Sequence, residues 1–96
     1  MKVILKEPRK TPEWVEIENS LEELQRIVDG YIETVTVATD VCIICNEEGR
    51  LNDLPYNCTL LGVQFFGNIV VVGVDDDEFC DLDEEVDKFL FGGIIK

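Results

Sequence analysis

Two groups of side chains in this sequence could do chemistry: a run of carboxylates near the C-terminal end and four cysteines. The segment DDDEFCDLDEEVD, residues 75–87, holds nine acids and no cation, and no Lys or Arg occurs between Leu51 and Asp87. Such a surface attracts basic proteins in a salt-sensitive way and repels nucleic acid and anionic membranes. We therefore predict a partner-binding surface made of Asp75, Asp76, Asp77, Glu78, Asp83, Glu85 and Asp87.

The acidic run also has simpler interpretations. Acids in a first helical turn are ordinary, and most charge runs are solvated faces. Alternating carboxylates could bind calcium, but the central glycine and distant glutamate of an EF-hand loop are missing. Carboxylate pairs are too abundant here to indicate acid–base catalysis, and a chain without histidine lacks the usual base for Ser or Cys. The sequence therefore predicts a protein that is not an enzyme.

The four cysteines raise the question of zinc. Cys42 and Cys45 have the spacing of a ligand pair, and Cys58 and Cys80 could complete a four-thiolate site. However, the pair lies in an apolar, β-branched run, and positions three apart along a strand point to opposite faces. Buried thiols acting as small hydrophobes are the simpler interpretation. We expect no cofactor, with zinc as the open alternative.

Length and composition predict one folded domain over residues 1–96. A chain of this length with 46% apolar residues can bury a core without disulfides or a metal. The net charge of −13 exceeds what solubility requires. The first residues do not form a signal peptide, and no stretch reaches the length of a membrane span. We therefore expect a cytoplasmic protein with reduced cysteines.

Periodicity predicts the elements that position these groups. Strands over 2–7 and 13–17 are predicted to form a hairpin. A capping box, in which the Ser20 side chain accepts from the Glu23 amide and the Glu23 side chain returns the bond, predicts a helix over 20–29. Gly30 is predicted to end that helix in the left-handed conformation. Strands follow at 31–38 and 41–46, then a tight turn with Gly49 at positive φ, a loop at 54–57, and one extended segment over 62–74 bent at Gly67.

The acidic run is expected to lead into a second helix. Asp81 is predicted to be the N-cap of this helix, with Glu84 as the second residue of its capping box. Gly92 and Gly93 are predicted to end the helix. Its apolar stripe would be Leu82, Val86, Phe89 and Leu90. On this interpretation the other acids have no structural role. The order β-β-α-β-β-β-α predicts an α+β fold, a small antiparallel sheet of about five strands with two helices packed on one face.

Several strings in the chain resemble a known family. They are GYIE at 30–33, CNEEGRL at 45–51, LPYN at 54–57 and GNIVVVG at 67–73. They are similar to domain-of-unknown-function family 3846, short proteins of Firmicutes, their phages and plasmids. The chain departs from the family in a shorter segment between Asn57 and Gly67, and at Cys58 and Cys80, where relatives often carry a cation or a polar residue. The resemblance implies no activity. It implies an origin in a phage or mobile element of a Firmicute host.

Two hypotheses of function follow. In the first, a phage or mobile-element inhibitor binds a host nucleic-acid enzyme through its acids, because duplex DNA offers such enzymes roughly one negative charge per 1.7 Å. A CRISPR effector nuclease is the first candidate target, which would make the protein an anti-CRISPR, and a restriction enzyme is the next. The inhibitor would block DNA loading or a conformational step. The alternative is a zinc-binding or housekeeping accessory domain, and the oligomeric state stays open.

Overall fold

The computed structural model describes residues 1–92, over which eight strands and two helices follow one another. No helix in this range is long and apolar enough to cross a membrane. The strands are β1 (Lys2–Lys6), β2 (Glu13–Glu16), β3 (Ile32–Ala38), β4 (Val41–Asn46), β5 (Tyr56–Leu60), β6 (Val63–Phe66), β7 (Ile69–Asp75) and β8 (Glu78–Cys80). The helices are α1 (Leu21–Val28) and α2 (Val86–Phe91).

Six of these strands form one antiparallel sheet in the order β2-β1-β7-β4-β3, with β8 paired to β7. Strand β7 is central, and its residues 69–72 have no exposed surface. A continuous apolar, β-branched run of this kind suits a strand that is covered on both faces. Ile4 of β1 pairs with Val71, and Cys80 of β8 pairs with Gly73, so β8 continues the line of β1 along β7.

Both faces of the sheet are covered, because β4 and β7 are apolar on both sides. On one face Ile44 packs in a cluster with Leu24 and Val28 of α1. On the other face Ile43 packs with Phe65 of the β5–β6 hairpin, and side chains of α2 join this second cluster: Val86, Leu90 and Phe91. The predicted α+β class and antiparallel sheet are confirmed. The two helices, however, lie on opposite faces, since a single covered face would leave the other apolar face of β4 and β7 in water.

Helix α1 has Ser20 as its N-cap, as predicted, and is one residue shorter at each end than the predicted range of 20–29. The Ser20 hydroxyl accepts a hydrogen bond from the Glu23 amide at 3.2 Å. The Glu23 carboxylate does not return the bond as a capping box would, and accepts from Nε and Nη2 of Arg26 at 2.7 and 3.0 Å. The left-handed C-cap is Asp29, at φ 63° and ψ 47°, and not Gly30. Glycine at position 30 provides room, since a Cβ there would lie 2.6 Å from Asn46 Nδ2.

The predicted extended segment over 62–74 is in fact two strands in two sheets. Gly67, at φ 78°, ends β6, and its amide donates to the Pro55 carbonyl at 2.7 Å. Strand β6 pairs with β5, a strand that the sequence interpretation did not predict. The connection between them passes through Leu61 and Gly62, both at positive φ. The turn therefore carries Leu-Gly where a two-residue hairpin usually has Asn-Gly. Because Leu at positive φ is rare, the sequence carries no signal for this turn.

The turn after β4 also differs from the prediction. Residues 47–53 wind through successive turns, with hydrogen bonds from the Asn52 amide to the Glu48 carbonyl at 2.8 Å and from Leu54 to Gly49 at 3.0 Å. The positive φ belongs to Asp53 and not to Gly49. A Cβ on Gly49 would lie 3.0 Å from the Phe66 carbonyl oxygen, so glycine here allows the close approach of β6.

Candidate functional site

Carboxylates from three parts of the chain meet at one end of the sheet, which we call the acidic end. The amide of Val74 at the end of β7 donates to the Asp40 carbonyl at 2.8 Å, which joins the β3–β4 turn to this end. The loop after β8 is tied to β1, because the Leu82 amide donates to the Lys2 carbonyl at 2.8 Å. The acidic end comprises Asp40, Asp75, Asp76, Asp77, Glu78, Asp81, Asp83, Glu84 and Glu85, all of them exposed.

The first four acids of the run form the β7–β8 hairpin. Asp75 pairs with Glu78, and the two turn residues Asp76 and Asp77 have φ of 53° and 67°. Two successive residues at positive φ are the pattern of a type I′ turn, in which Asp is tolerated better than most residues. The prediction that Asp75–Glu78 have no structural role is therefore wrong. Strand β8 was missed because DDDE carries no glycine and has the composition of a helix entrance.

The next acids order the loop between β8 and α2, but they do not cap the helix. Asp81 Oδ1 accepts from the backbone amide of Lys2 at 2.8 Å, and Asp83 Oδ1 accepts from the Glu85 amide at 2.9 Å. Helix α2 begins at Val86, and its N-cap residue Glu85 makes no side-chain capping bond. The predicted cap at Asp81 is thus wrong, because the start of β1 takes that carboxylate. Gly92 is the left-handed C-cap, and Gly93 lies outside the described residues.

Cations reach the acidic end from other parts of the chain. Lys2 Nζ lies 3.9 Å from Glu84, and Lys88 Nζ lies 3.8 Å from Glu85, with all four side chains more than half exposed. Exposed pairs of this kind contribute little to stability. Within residues 1–92 no carboxylate of Asp75–Glu78 takes part in an ion pair. Lysines from outside the cation-free stretch therefore pair with two of its acids, whereas the four carboxylates of the hairpin tip have no cationic partner within residues 1–92.

Asp87 is the one predicted partner-binding residue that lies inside the protein. Its exposed fraction is 8%, whereas Asp75–Glu78, Asp83 and Glu85 are exposed. It is the second residue of α2, in a first turn that packs on the core through Val86. The acidic end therefore holds six of the seven predicted partner-binding residues, together with Asp40, which sequence spacing could not bring near.

The cysteines are separated by the fold. Cys42 packs in the cluster under α1, whereas Cys45 packs in the cluster on the opposite face with Cys58 beside it. Cys80 lies at the acidic end, where burial and then Asp75, Asp81 and Asp40 raise the pKa of its thiol. Within residues 1–92 no three Cys, Asp or Glu side chains are arranged to hold a metal ion. The fold does not assemble the four-thiolate site considered from the sequence.

Burial makes the core thiols poor nucleophiles. It raises the pKa of Cys42 from 9.0 to about 11, and burial together with the nearby Glu33 carboxylate does the same for Cys45. Burial also raises the pKa of Cys58, although Lys6 opposes the shift. The thiolate is the reactive form of cysteine, so burial favours the less reactive thiol form of all three side chains. They serve as small core residues.

The opposite end of the sheet is held by three asparagines, and we call it the amide end. Asn46 Nδ2 donates to the Val28 and Asp29 carbonyls, both at 3.0 Å, and Asn68 Nδ2 donates to the Ile27 carbonyl at 3.0 Å. These are carbonyls that the last turn of α1 leaves without helical partners. The asparagines therefore cap the helix from the sheet.

Asn57 plays the matching role between β5 and the main sheet. Its Nδ2 donates to the Lys6 and Gly67 carbonyls, both at 2.7 Å, and its Oδ1 accepts from Lys6 Nζ at 2.9 Å. Asn46 and Asn57 are buried, with exposed fractions of 7% and 8%. Neither residue was predicted to have a role. The sequence held a signal for both, because each asparagine follows apolar or aromatic residues, and a polar side chain buried among such residues needs a hydrogen-bond partner.

The strings that resembled a family contain these asparagines. A family model, described as a domain of unknown function (DUF3846), matches residues 1–91 and so spans both ends of the sheet. Comparisons with curated proteins and with solved structures found no match. The family predicted from the sequence is confirmed. The chain belongs to the DUF3846 family.

Proposed function

We propose that this protein is a non-enzymatic inhibitor that binds a basic surface of a host nucleic-acid enzyme through its acidic end. The observation that carries the proposal is the β7–β8 hairpin tip, whose four consecutive carboxylates, residues 75–78, are exposed and unpaired within residues 1–92. Mutual repulsion at such a tip opposes folding, and a cationic partner would relieve it. The cost to the free protein is thus consistent with a surface kept for binding.

Nucleic-acid enzymes are the class of basic protein that this surface suits. Their channels are built to receive a dense line of phosphates, so they concentrate Lys and Arg in one groove. A small rigid domain with acids on a hairpin, a loop and a neighbouring turn could enter such a groove and exclude DNA. The protein would then act in the cytoplasm of a bacterial host.

A CRISPR effector nuclease is the first target to test, and a restriction enzyme is the second. The mobile-element origin that the family resemblance implies favours these two classes, because both defend the host against such elements. The proposal requires stoichiometric inhibition of DNA binding or cleavage, with no turnover by the inhibitor itself.

The test compares charge reversal at the two ends of the sheet. The variant Asp76→Lys with Asp77→Lys changes the hairpin tip, and the matched control Glu47→Lys with Glu48→Lys makes the same change in net charge at exposed positions of the other end. Inhibition of DNA cleavage is measured with each purified nuclease at about 50 and 500 mM NaCl. We expect the first variant to lose inhibition at least about tenfold and the control to keep it within about threefold.

Two results would overturn the proposal. One is the absence of binding to every nuclease at low salt. The other is an equal loss for both double variants, since that would mean net charge alone matters and the acidic end has no particular role.

A further inference from the structure

A groove with an apolar floor and a carboxylate rim adjoins the acidic end. It lies between the β3–β4 hairpin and α2 and has a volume of about 260 Å³. Its apolar surface comes from Val37, Ala38, Val41, Val86 and Phe89. Its rim carries Asp40, Asp83 and Glu85.

Phe89 is the unusual member of this groove. Val86, Leu90 and Phe91 of the same helix pack against the core, whereas the Phe89 side chain is 66% exposed. Exposed apolar surface rimmed by polar residues is typical of an interaction site. The rim is also ordered, because Asp83 Oδ1 holds the Glu85 amide at 2.9 Å.

We propose that this groove receives one large aliphatic or aromatic side chain from a basic segment of the partner protein. The inference rests on the proposed function and adds the chemistry of the contact. The volume is below the range of about 300–1,000 Å³ of small-molecule pockets, so it suits a single side chain. Arg or Lys residues on either side of that anchor would meet Asp40, Asp83 and Glu85.

Charge decides between this partner and a second copy of the chain. A second copy would bring another carboxylate-rimmed face and a further net charge of −13. Two such faces repel each other, whereas a cationic segment is attracted before its anchor is buried. Glu85 already has Lys88 at 3.8 Å, but this pair is exposed and therefore weak enough to exchange.

The experiment uses two synthetic peptides and the full chain. One peptide carries a central leucine flanked on both sides by arginines, and its match carries serine in place of the leucine. Affinity is measured by fluorescence anisotropy at low salt, and NMR shifts of Val37, Val41 and Phe89 report on the groove. We expect the leucine peptide to bind at least about tenfold more tightly than the serine peptide.

Variants separate the groove from the hairpin tip. Ala38→Trp fills the groove from an exposed position and should reduce the leucine preference to about twofold or less, as should Phe89→Ala, which removes a wall. Thr36→Trp is the matched control, an exposed position of β3 that pairs with Cys42 of the other face. It should leave the preference unchanged.

The outcomes are distinguishable. Equal binding of both peptides, unaffected by Ala38→Trp, would overturn the groove proposal and leave the acidic-end function standing. If neither peptide binds at low salt, the groove proposal falls, and the acidic-end function is then decided by the nuclease assay alone. A variant shortened to residues 1–92 is measured beside the full chain. If the leucine peptide binds this variant and not the full chain, the inference is also overturned, because the occupant of the groove would then be the protein's own last residues.

Discussion

At the amide end of the sheet, two asparagine side chains are buried and fully hydrogen-bonded, whereas at the acidic end the carboxylates are exposed and most of them have no partner within residues 1–92. Asn46 and Asn57 each hold two backbone carbonyls and accept one hydrogen bond. Asp76 and Asp77 make no side-chain hydrogen bond or ion pair within residues 1–92, although their backbone forms a turn. The family-like strings thus serve architecture at one end, and the exposed charges lie at the other end, where we propose that a partner binds.

The largest expected effect comes from emptying the amide end. Asn46→Ala removes the donor to Val28 and Asp29 and the acceptor for the Glu48 amide. Buried groups left without partners and a new cavity should lower the free energy of unfolding by about 3 kcal/mol and Tm by roughly 15 °C. Asn52→Ala, at an exposed position, is the control and should stay within about 0.5 kcal/mol. A loss below about 1 kcal/mol for Asn46→Ala would refute the contrast between the ends.

The strand that joins the two ends offers a test by pH. In β4 the pKa of Cys42 and of Cys45 is raised to about 11, so the folded protein keeps protons that the unfolded chain loses above about pH 9. The unfolded state then binds fewer protons, and stability falls as pH rises from 9 to 11, by at most ~1.4 kcal/mol per pH unit for each thiol. Urea unfolding across this range should be less pH-dependent in Cys42→Ala with Cys45→Ala. An unchanged slope would contradict the burial of these thiols.

The smallest effect isolates repulsion within the acidic end. Asp76 and Asp53 are both exposed acids at positive φ, 53° and 55°, one at the acidic end and one at the other end. Replacing either by glycine has a similar effect on the backbone. Asp76→Gly should therefore be the more stable of the two by about 0.5 kcal/mol, because it alone relieves a carboxylate cluster, and the difference should vanish at about 1 M NaCl. Equal stability at low salt would mean that the acidic end is not under electrostatic strain.

Sequence patterns predicted the elements whose signals are local. The alternation of β3, the apolar run of β4 and the Ser20 box of α1 each depend on neighbours within one element. The errors occurred where a distant partner decides the outcome. The Asp81 carboxylate accepts a hydrogen bond from the Lys2 amide. Gly49 leaves room for Phe66, and Gly30 leaves room for Asn46. No local pattern encodes such contacts.

The candidate site shows the same limit. The exposed acids were identified from their density in the chain, but their arrangement depends on pairing between β7 and β8, which the absence of a turn glycine concealed. Asp40 and Lys2 reach the acidic end only through the sheet. The apolar groove could not be predicted, because it lies between a hairpin and a helix that are remote in sequence.

The position of β7 has a consequence for how the protein is made. The hairpins β1–β2 and β3–β4 do not pair with each other, and each needs β7 between them. Because β7 follows both hairpins in the chain, neither hairpin can take its native place in the sheet before β7 has been made. The native sheet is therefore complete only when β7 lies between β1 and β4, and the same strand places the carboxylates of the β7–β8 turn at the edge of the sheet.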